Sequence, residues 1–115
     1  MAQHDARIMV VDDETTARVS LAEILRLEGY QISTAASGEE ALSLLEKSEP
    51  FDLLVLDIKM PGIDGLTVAE KVREEYANTS IILLTAFGTL ETAIEAGRKG
   101  ADDYLLKPSS VPEIL

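Results

Sequence analysis

A chain of 115 residues carrying a net charge of −11 is the size of one domain, and its charge argues against general affinity for nucleic-acid phosphates or anionic membranes. It has no cysteine, which excludes disulfides, thiolate catalysis and cysteine-ligated zinc. No apolar run approaches membrane-spanning length, and "MAQHDARIMVVDDE" turns acidic directly after its short apolar run instead of forming a leader, so a cytoplasmic location is expected.

The first apolar run, "IMVV" (Ile8 to Val11), is too short for a helix and lacks alternation, as in a strand covered on both faces. Helical spacing of Ala17, Leu21, Ile24, Leu25 and Glu28 follows, and Gly29 ends that helix. "QISTA" (Gln31 to Ala35) alternates polar and apolar residues and predicts an edge strand. Ser37 with Glu40 forms a capping-box pattern ahead of Ala41, Leu44 and Leu45.

"LLVL" (Leu53 to Leu56) is a second doubly buried strand. Asp64 can cap a helix carrying Leu66, Ala69, Val72 and Tyr76 on one side. "IILL" (Ile81 to Leu84) is the next strand, and Thr89 can cap a helix with Leu90, Ala93, Ile94 and Gly97. "YLL" (Tyr104 to Leu106) is the fifth strand, and Ser110, Pro112 and Glu113 resemble the opening of a last helix, incomplete at Leu115.

Strict β-α alternation predicts an α/β fold with a parallel sheet, right-handed crossovers and no internal repeat or linker. Ligands of such sheets sit beyond the carboxyl ends of the strands, where strand order reverses. The first strand ends in Asp12 and Asp13, the third in Asp57, the fourth in Thr85 and the fifth in Lys107, followed by Pro108. In a doubly wound five-stranded sheet of order 2-1-3-4-5, strands one and three are neighbours at the switch point. Asp12, Asp13 and Asp57 then converge in one pocket.

Each of these residues taken alone has an ordinary structural explanation. Asp12 and Asp13 can cap the first helix, Asp57 can accept from the turn "KMPG", Thr85 can be a β-branched strand residue, and Lys107 a surface charge. Jointly those explanations weaken, because all five residues fall at one end of one sheet.

Carboxylates about 4 Å apart repel by roughly 4 kcal/mol at an intermediate effective dielectric, so the cluster calls for a counter-charge. Few hard oxygen ligands in a confined cleft favour Mg2+ over calcium or zinc. His4 lies upstream and reads as a tail residue. With Mg2+, Asp57 can attack phosphorus in line, while Thr85, a backbone N–H near Ala86 and Lys107 face the phosphoryl oxygens.

"VVDDE", "LLVLDIKMPGIDG", "ILLTAFG" and "ADDYLLKP", in this order and spacing, resemble the receiver domain of bacterial two-component response regulators. The resemblance covers residues 1–115 almost entirely and implies a flavodoxin-like fold, a single receiver domain with its last helix truncated, and an output domain downstream. "MPGIDGL" and "TAFGTLETAIEAGRKGADDYLLKP" look most like receivers of the nitrogen-regulator type, which precede an ATPase domain acting on sigma-54 polymerase.

The resemblance further implies that Asp57 accepts a phosphoryl group from a sensor histidine kinase. It implies that Asp12, Asp13, Asp57 and the backbone carbonyl of Lys59 hold the metal. Thr85 and Lys107 bind phosphoryl oxygens, Tyr104 turns inward when Thr85 is drawn to the phosphate, and a cis bond before Pro108 aims Lys107. The output face is the helix after Thr89, the fifth strand and the incomplete last helix, serving a downstream domain or a homodimer partner. Nucleic acid and membrane are not expected to bind this domain. Ser109 departs from the aromatic residue often found after the Lys-Pro pair, and Lys59 and Phe87 occupy variable positions beside the site.

Two rivals come from other classes. An aspartyl phosphatase needs a general acid two residues beyond its nucleophile, and Lys59 is a poor one. A pseudo-receiver would be an interaction module that is never phosphorylated, against which stands the joint presence of Asp12, Asp13, Asp57, Thr85 and Lys107. A dinucleotide site is disfavoured because "VVDDETT" has no glycine-rich loop.

Overall fold

The computed structural model of the chain describes residues 6–85, 97–98 and 101–106, with Thr85 and 103–106 described by backbone alone. The order is β1 (Arg7–Val11), α1 (Thr15–Leu27), β2 (Gln31–Ala35), α2 (Gly38–Lys47), β3 (Leu53–Asp57), α3 (Gly65–Glu75), β4 (Ser80–Thr85) and β5 (Asp103–Leu106). The strands form one sheet in the order β2-β1-β3-β4-β5, and every pair is parallel. Each strand extends the apolar run read from the sequence by a residue or two at its ends, except β2, which matches at both and lies at the sheet edge.

Residue parity explains the unbroken apolar runs. Met9 and Val11 of β1, Leu54 and Leu56 of β3, and Ile81 and Leu83 of β4 point to one face. There they meet Ala41 and Leu45 of α2 and Val68, Ala69 and Val72 of α3. Ile8 and Val10, Val55, and Ile82 and Leu84 point to the other, where Leu25 of α1 packs. Both faces are thus covered by helices, as a doubly wound sheet requires. Burial of each such side chain contributes roughly 1.5–3 kcal/mol.

The helix ends follow their predicted chemistry. Ser37 Oγ accepts from the Glu40 N–H at 3.1 Å, and Asp64 Oδ1 accepts from the Thr67 N–H at 2.8 Å. α1 closes at Glu28, and Gly29 adopts φ 101°, a left-handed conformation that glycine takes without a Cβ penalty. Val68, absent from the predicted helix stripe, is fully buried, whereas Leu66 and Tyr76 are half-buried. Burial raises the Tyr76 hydroxyl above its ordinary pKa, with Glu75 and Glu46 adding to the effect.

Of the expected helix after Thr89 only Gly97 and Arg98 are described, both helical; the rest of it, the last helix opening at Ser110, Lys107 and the peptide bond before Pro108 lie outside the described residues. No helix among the described residues is long and apolar enough to cross a membrane.

Candidate metal centre

β1 and β3 are hydrogen-bonded neighbours, with Val11 opposite Leu56. One residue further along each strand come Asp12 and Asp57, so register alone sets these two carboxylates side by side at the carboxyl edge. Asp13 follows at the turn into α1. One carboxylate oxygen from each of Asp12, Asp13 and Asp57 lies within 4.8 Å of the others. Asp12 and Asp57 are buried, at 5% and 8% exposure, while Asp13 is exposed. Two of the three acids are thus withdrawn from solvent and one is open to it.

The backbone holds each member in place. The Asp12 N–H donates to Ala35 O at 3.1 Å, and its carbonyl accepts from Arg18 Nη1 at 2.8 Å. Asp12 Oδ1 accepts from the Glu14 N–H at 2.9 Å. Helix α1 is entered at Glu14, whose own side chain makes no capping bond. The helix-capping role open to Asp12 is not the one it takes: the N-cap is Glu14, and Asp12 Oδ1 accepts from the N–H of Glu14 itself, ahead of the first helical residue. The Arg18 contact carried no sequence signal beyond an arginine one turn into the helix.

Asp57 stands opposite Leu84 of β4, and the next N–H, of Ile58, donates to Leu84 O at 3.1 Å. The Gly65 N–H donates to Ile58 O at 2.8 Å, which closes the loop between β3 and α3 onto the strand end. A Cβ on Gly65 would strike the Asp57 carbonyl oxygen and lie 2.9 Å from Ile58 Cα, so only glycine permits this approach. Gly62 in the same loop adopts φ 78°. The loop residues Ile58, Lys59, Met60, Pro61, Gly62 and Asp64 line an open groove of about 530 Å³ beside the acidic notch, with Lys59 exposed. Neither glycine was singled out from the sequence, although "PGIDG" contains both.

β4 ends at Thr85, one residue past Leu84, which places its backbone at the same edge; Thr85 pairs with Leu106, the last residue of β5. Lys107, the next residue in the chain, lies outside the described residues, as do the side chains of Thr85 and Tyr104.

Three carboxylates at this separation repel one another, and a hard divalent cation relieves that repulsion. The donor set is oxygen only, which fits a magnesium-type ion and not a sulfur- or imidazole-seeking one.

Residues 8–115 match the response regulator receiver domain. The chain belongs to the response regulator receiver family. It is a signalling module and not a catalytic enzyme in its own right.

The probable transcriptional regulator ycf27 of Cyanophora paradoxa is 44% identical over 94% of this chain, which spans 44% of that protein. Regulatory protein AtoC of Escherichia coli K12 is 39% identical over 94% of the chain, which spans 23% of it. The chain therefore spans less than half the length of these curated relatives. Among solved structures, response regulator TrrA of Thermotoga maritima in complex with Mg2+ and BeF is 43% identical with TM-score 0.84, covering 95% of this chain and 92% of that one. A Burkholderia pseudomallei response regulator with a phosphorylated aspartic acid and a calcium ion is 31% identical with TM-score 0.89, covering 96% of this chain and 64% of that one.

Proposed function

We propose that this receiver domain is a magnesium-dependent phosphoacceptor switch in which Asp57 takes a phosphoryl group from the phosphohistidine of a sensor kinase. The convergence of the Asp12, Asp13 and Asp57 carboxylates at the carboxyl edge of the sheet carries this reading. Support comes from relatives solved with a phosphorylated aspartic acid and with Mg2+ and BeF.

Asp12, Asp13, Asp57 and the Lys59 backbone carbonyl would hold the metal. When bound, Mg2+ neutralises charge building up on the transferring phosphoryl group. A carboxylate oxygen of Asp57 attacks phosphorus in line and forms the O–P bond. The P–N bond to the kinase histidine breaks, and its electron pair returns to the ring nitrogen. Thr85 and Lys107 donate to phosphoryl oxygens. Drawing Thr85 toward the phosphate opens room for Tyr104 to turn inward, which biases an existing equilibrium between two forms of the output face.

The output face is assigned to the helix after Thr89, β5 and the last helix. The probable transcriptional regulator ycf27, more than twice this length, supports a transcriptional output domain in the whole protein. The nitrogen-regulator-like stretches favour a sigma-54-type ATPase as that domain, and a homodimer partner would use the same face.

The test is intact mass after incubation with Mg2+ and acetyl phosphate. One phosphoryl group should be gained, and chelation or Asp57→Asn should abolish the gain. A folded protein that gains nothing would instead be a pure interaction module.

A further inference from the structure

The opposite edge of the sheet carries a repeated arrangement. Asp52, immediately before β3, gives its N–H to Arg7 O at 2.8 Å, and its Oδ2 accepts the Arg7 N–H at 2.8 Å. Asp102, immediately before β5, gives its N–H to Ile81 O at 2.8 Å, and its Oδ2 accepts the Ile81 N–H at 2.7 Å. Each aspartate thus closes a two-bond ring on one residue of the neighbouring strand. In a regular parallel ladder a preceding backbone carbonyl would take that N–H. At β3 that carbonyl, of Phe51, accepts instead from Thr79 Oγ1 at 2.7 Å, and the Asp52 carboxylate takes the Arg7 N–H.

Such a device answers a need created by the strands themselves. A one-residue slip sends every side chain to the other face, and the hydrophobic pattern resists it most where one face is apolar and the other polar. "LLVL" is apolar on both faces, so a slip by one residue exchanges one buried aliphatic for another. A slip would nevertheless move the strand end by about 3.3 Å. Asp57 follows Asp52 by five residues, and Lys107 follows Asp102 by five. The two strands that lead to the acceptor and to the lysine therefore carry the same lock at the same distance upstream, one against β1 and one against β4.

We propose that Asp52 and Asp102 are positioning residues: they fix the register of β3 and β5 so that the groups at the far ends of these strands arrive level with Asp12 and Thr85. The inference rests on the phosphoacceptor reading for its functional consequence, but the register itself is independent of it. Arg73 Nη2 also pairs with Asp102 Oδ2 at 2.7 Å, across the surface. Exposed pairs of this kind contribute little, and the backbone bond to Ile81 is the part that sets register.

The experiment compares the full chain with Asp52→Ala, Asp52→Asn, Asp102→Ala, Asp102→Asn and Arg73→Ala. It measures the Mg2+ dissociation constant, the rate of phosphorylation by acetyl phosphate, and amide exchange at Arg7, Ile81 and along β3 and β5. Asp52→Ala should weaken Mg2+ binding about tenfold, because Asp57 moves relative to Asp12 and Asp13. Asp102→Ala should leave Mg2+ binding within about twofold yet slow phosphorylation about tenfold or more, because only the strand leading to Lys107 is released. Amide protection should fall at Arg7 in the first variant and at Ile81 in the second. Asparagine keeps an acceptor oxygen, so both Asn variants should restore wild-type behaviour, and Arg73→Ala should resemble wild type.

Equal losses of metal binding in both alanine variants, or no rescue by asparagine, would reduce the pair to ordinary stability contacts and overturn the proposal. So would unchanged amide protection. If the wild-type chain takes up no phosphoryl group, the phosphoacceptor reading fails, while the metal and exchange measurements still decide the register locks.

Discussion

Gly65 lies so close to Asp57 that a single added methyl group would collide with the Asp57 carbonyl oxygen. The first residue of α3 is thereby pressed against the strand residue that bears the candidate acceptor. Gly65→Ala must push either α3 outward or the end of β3 inward. Overpacking of this kind costs about 1–3 kcal/mol, which chemical denaturation would register. The same variant should bind Mg2+ more weakly than wild type, because the strand end that carries Asp57 is what moves. A Gly65→Ala protein with wild-type stability and metal affinity would show that the contact is slack.

Crowding of three carboxylates makes a prediction about sign. Without metal, Asp57→Asn removes one charge from a mutually repelling set and should raise stability by about 1 kcal/mol or more. With Mg2+ the ranking should reverse, since the wild type gains more from the ion. Thermal unfolding of both proteins in chelator and in excess Mg2+ gives the four values needed. A parallel shift of both proteins by Mg2+ would place the ion elsewhere.

For the wild type, a ligand at a hundred times its dissociation constant stabilises the folded state by about 2.7 kcal/mol. The Mg2+-dependent rise in unfolding temperature should follow that logarithmic form, and Asp13→Asn should flatten it. Asp13 is the exposed member of the set, so its replacement perturbs no core packing.

Much of this molecule was legible in its sequence because apolar runs, caps and strand ends are local signals. The doubly buried strands announced themselves in "IMVV", "LLVL" and "IILL", and the switch-point rule placed Asp12, Asp13 and Asp57 together. The bond from the Glu14 N–H to Asp12 Oδ1 was not legible, because the sequence offered Asp12 only as a helix cap or as a member of the cluster. Gly65 and the paired locks at Asp52 and Asp102 were not legible. Their meaning depends on which backbone lies opposite, and no residue pattern within one element encodes that. On α3 the stripe Leu66, Ala69, Val72 and Tyr76 does face the core, with Ala69 and Val72 fully buried and Leu66 and Tyr76 packed at its margin, but it left out Val68, which is fully buried beside them.

Packing beneath the site supplies a further contrast. Leu56, the residue before Asp57, is fully buried in the cluster shared with α2 and α3, whereas Leu27 near the end of α1 is 62% exposed. Leu56→Ala should cost about 2–5 kcal/mol, because it removes transferred surface and leaves a cavity between sheet and helices. Leu27→Ala should fall within about 0.5 kcal/mol of wild type. Urea unfolding midpoints at constant slope would measure both. Because Leu56 shares its strand with Asp57, its replacement should also weaken Mg2+ binding even under conditions where the protein remains folded. Leu27→Ala should leave that affinity unchanged. If Leu56→Ala lowered stability but left the metal site intact, the rigidity of the notch would have to reside in the loops that follow β1 and β3, and not in the sheet beneath them.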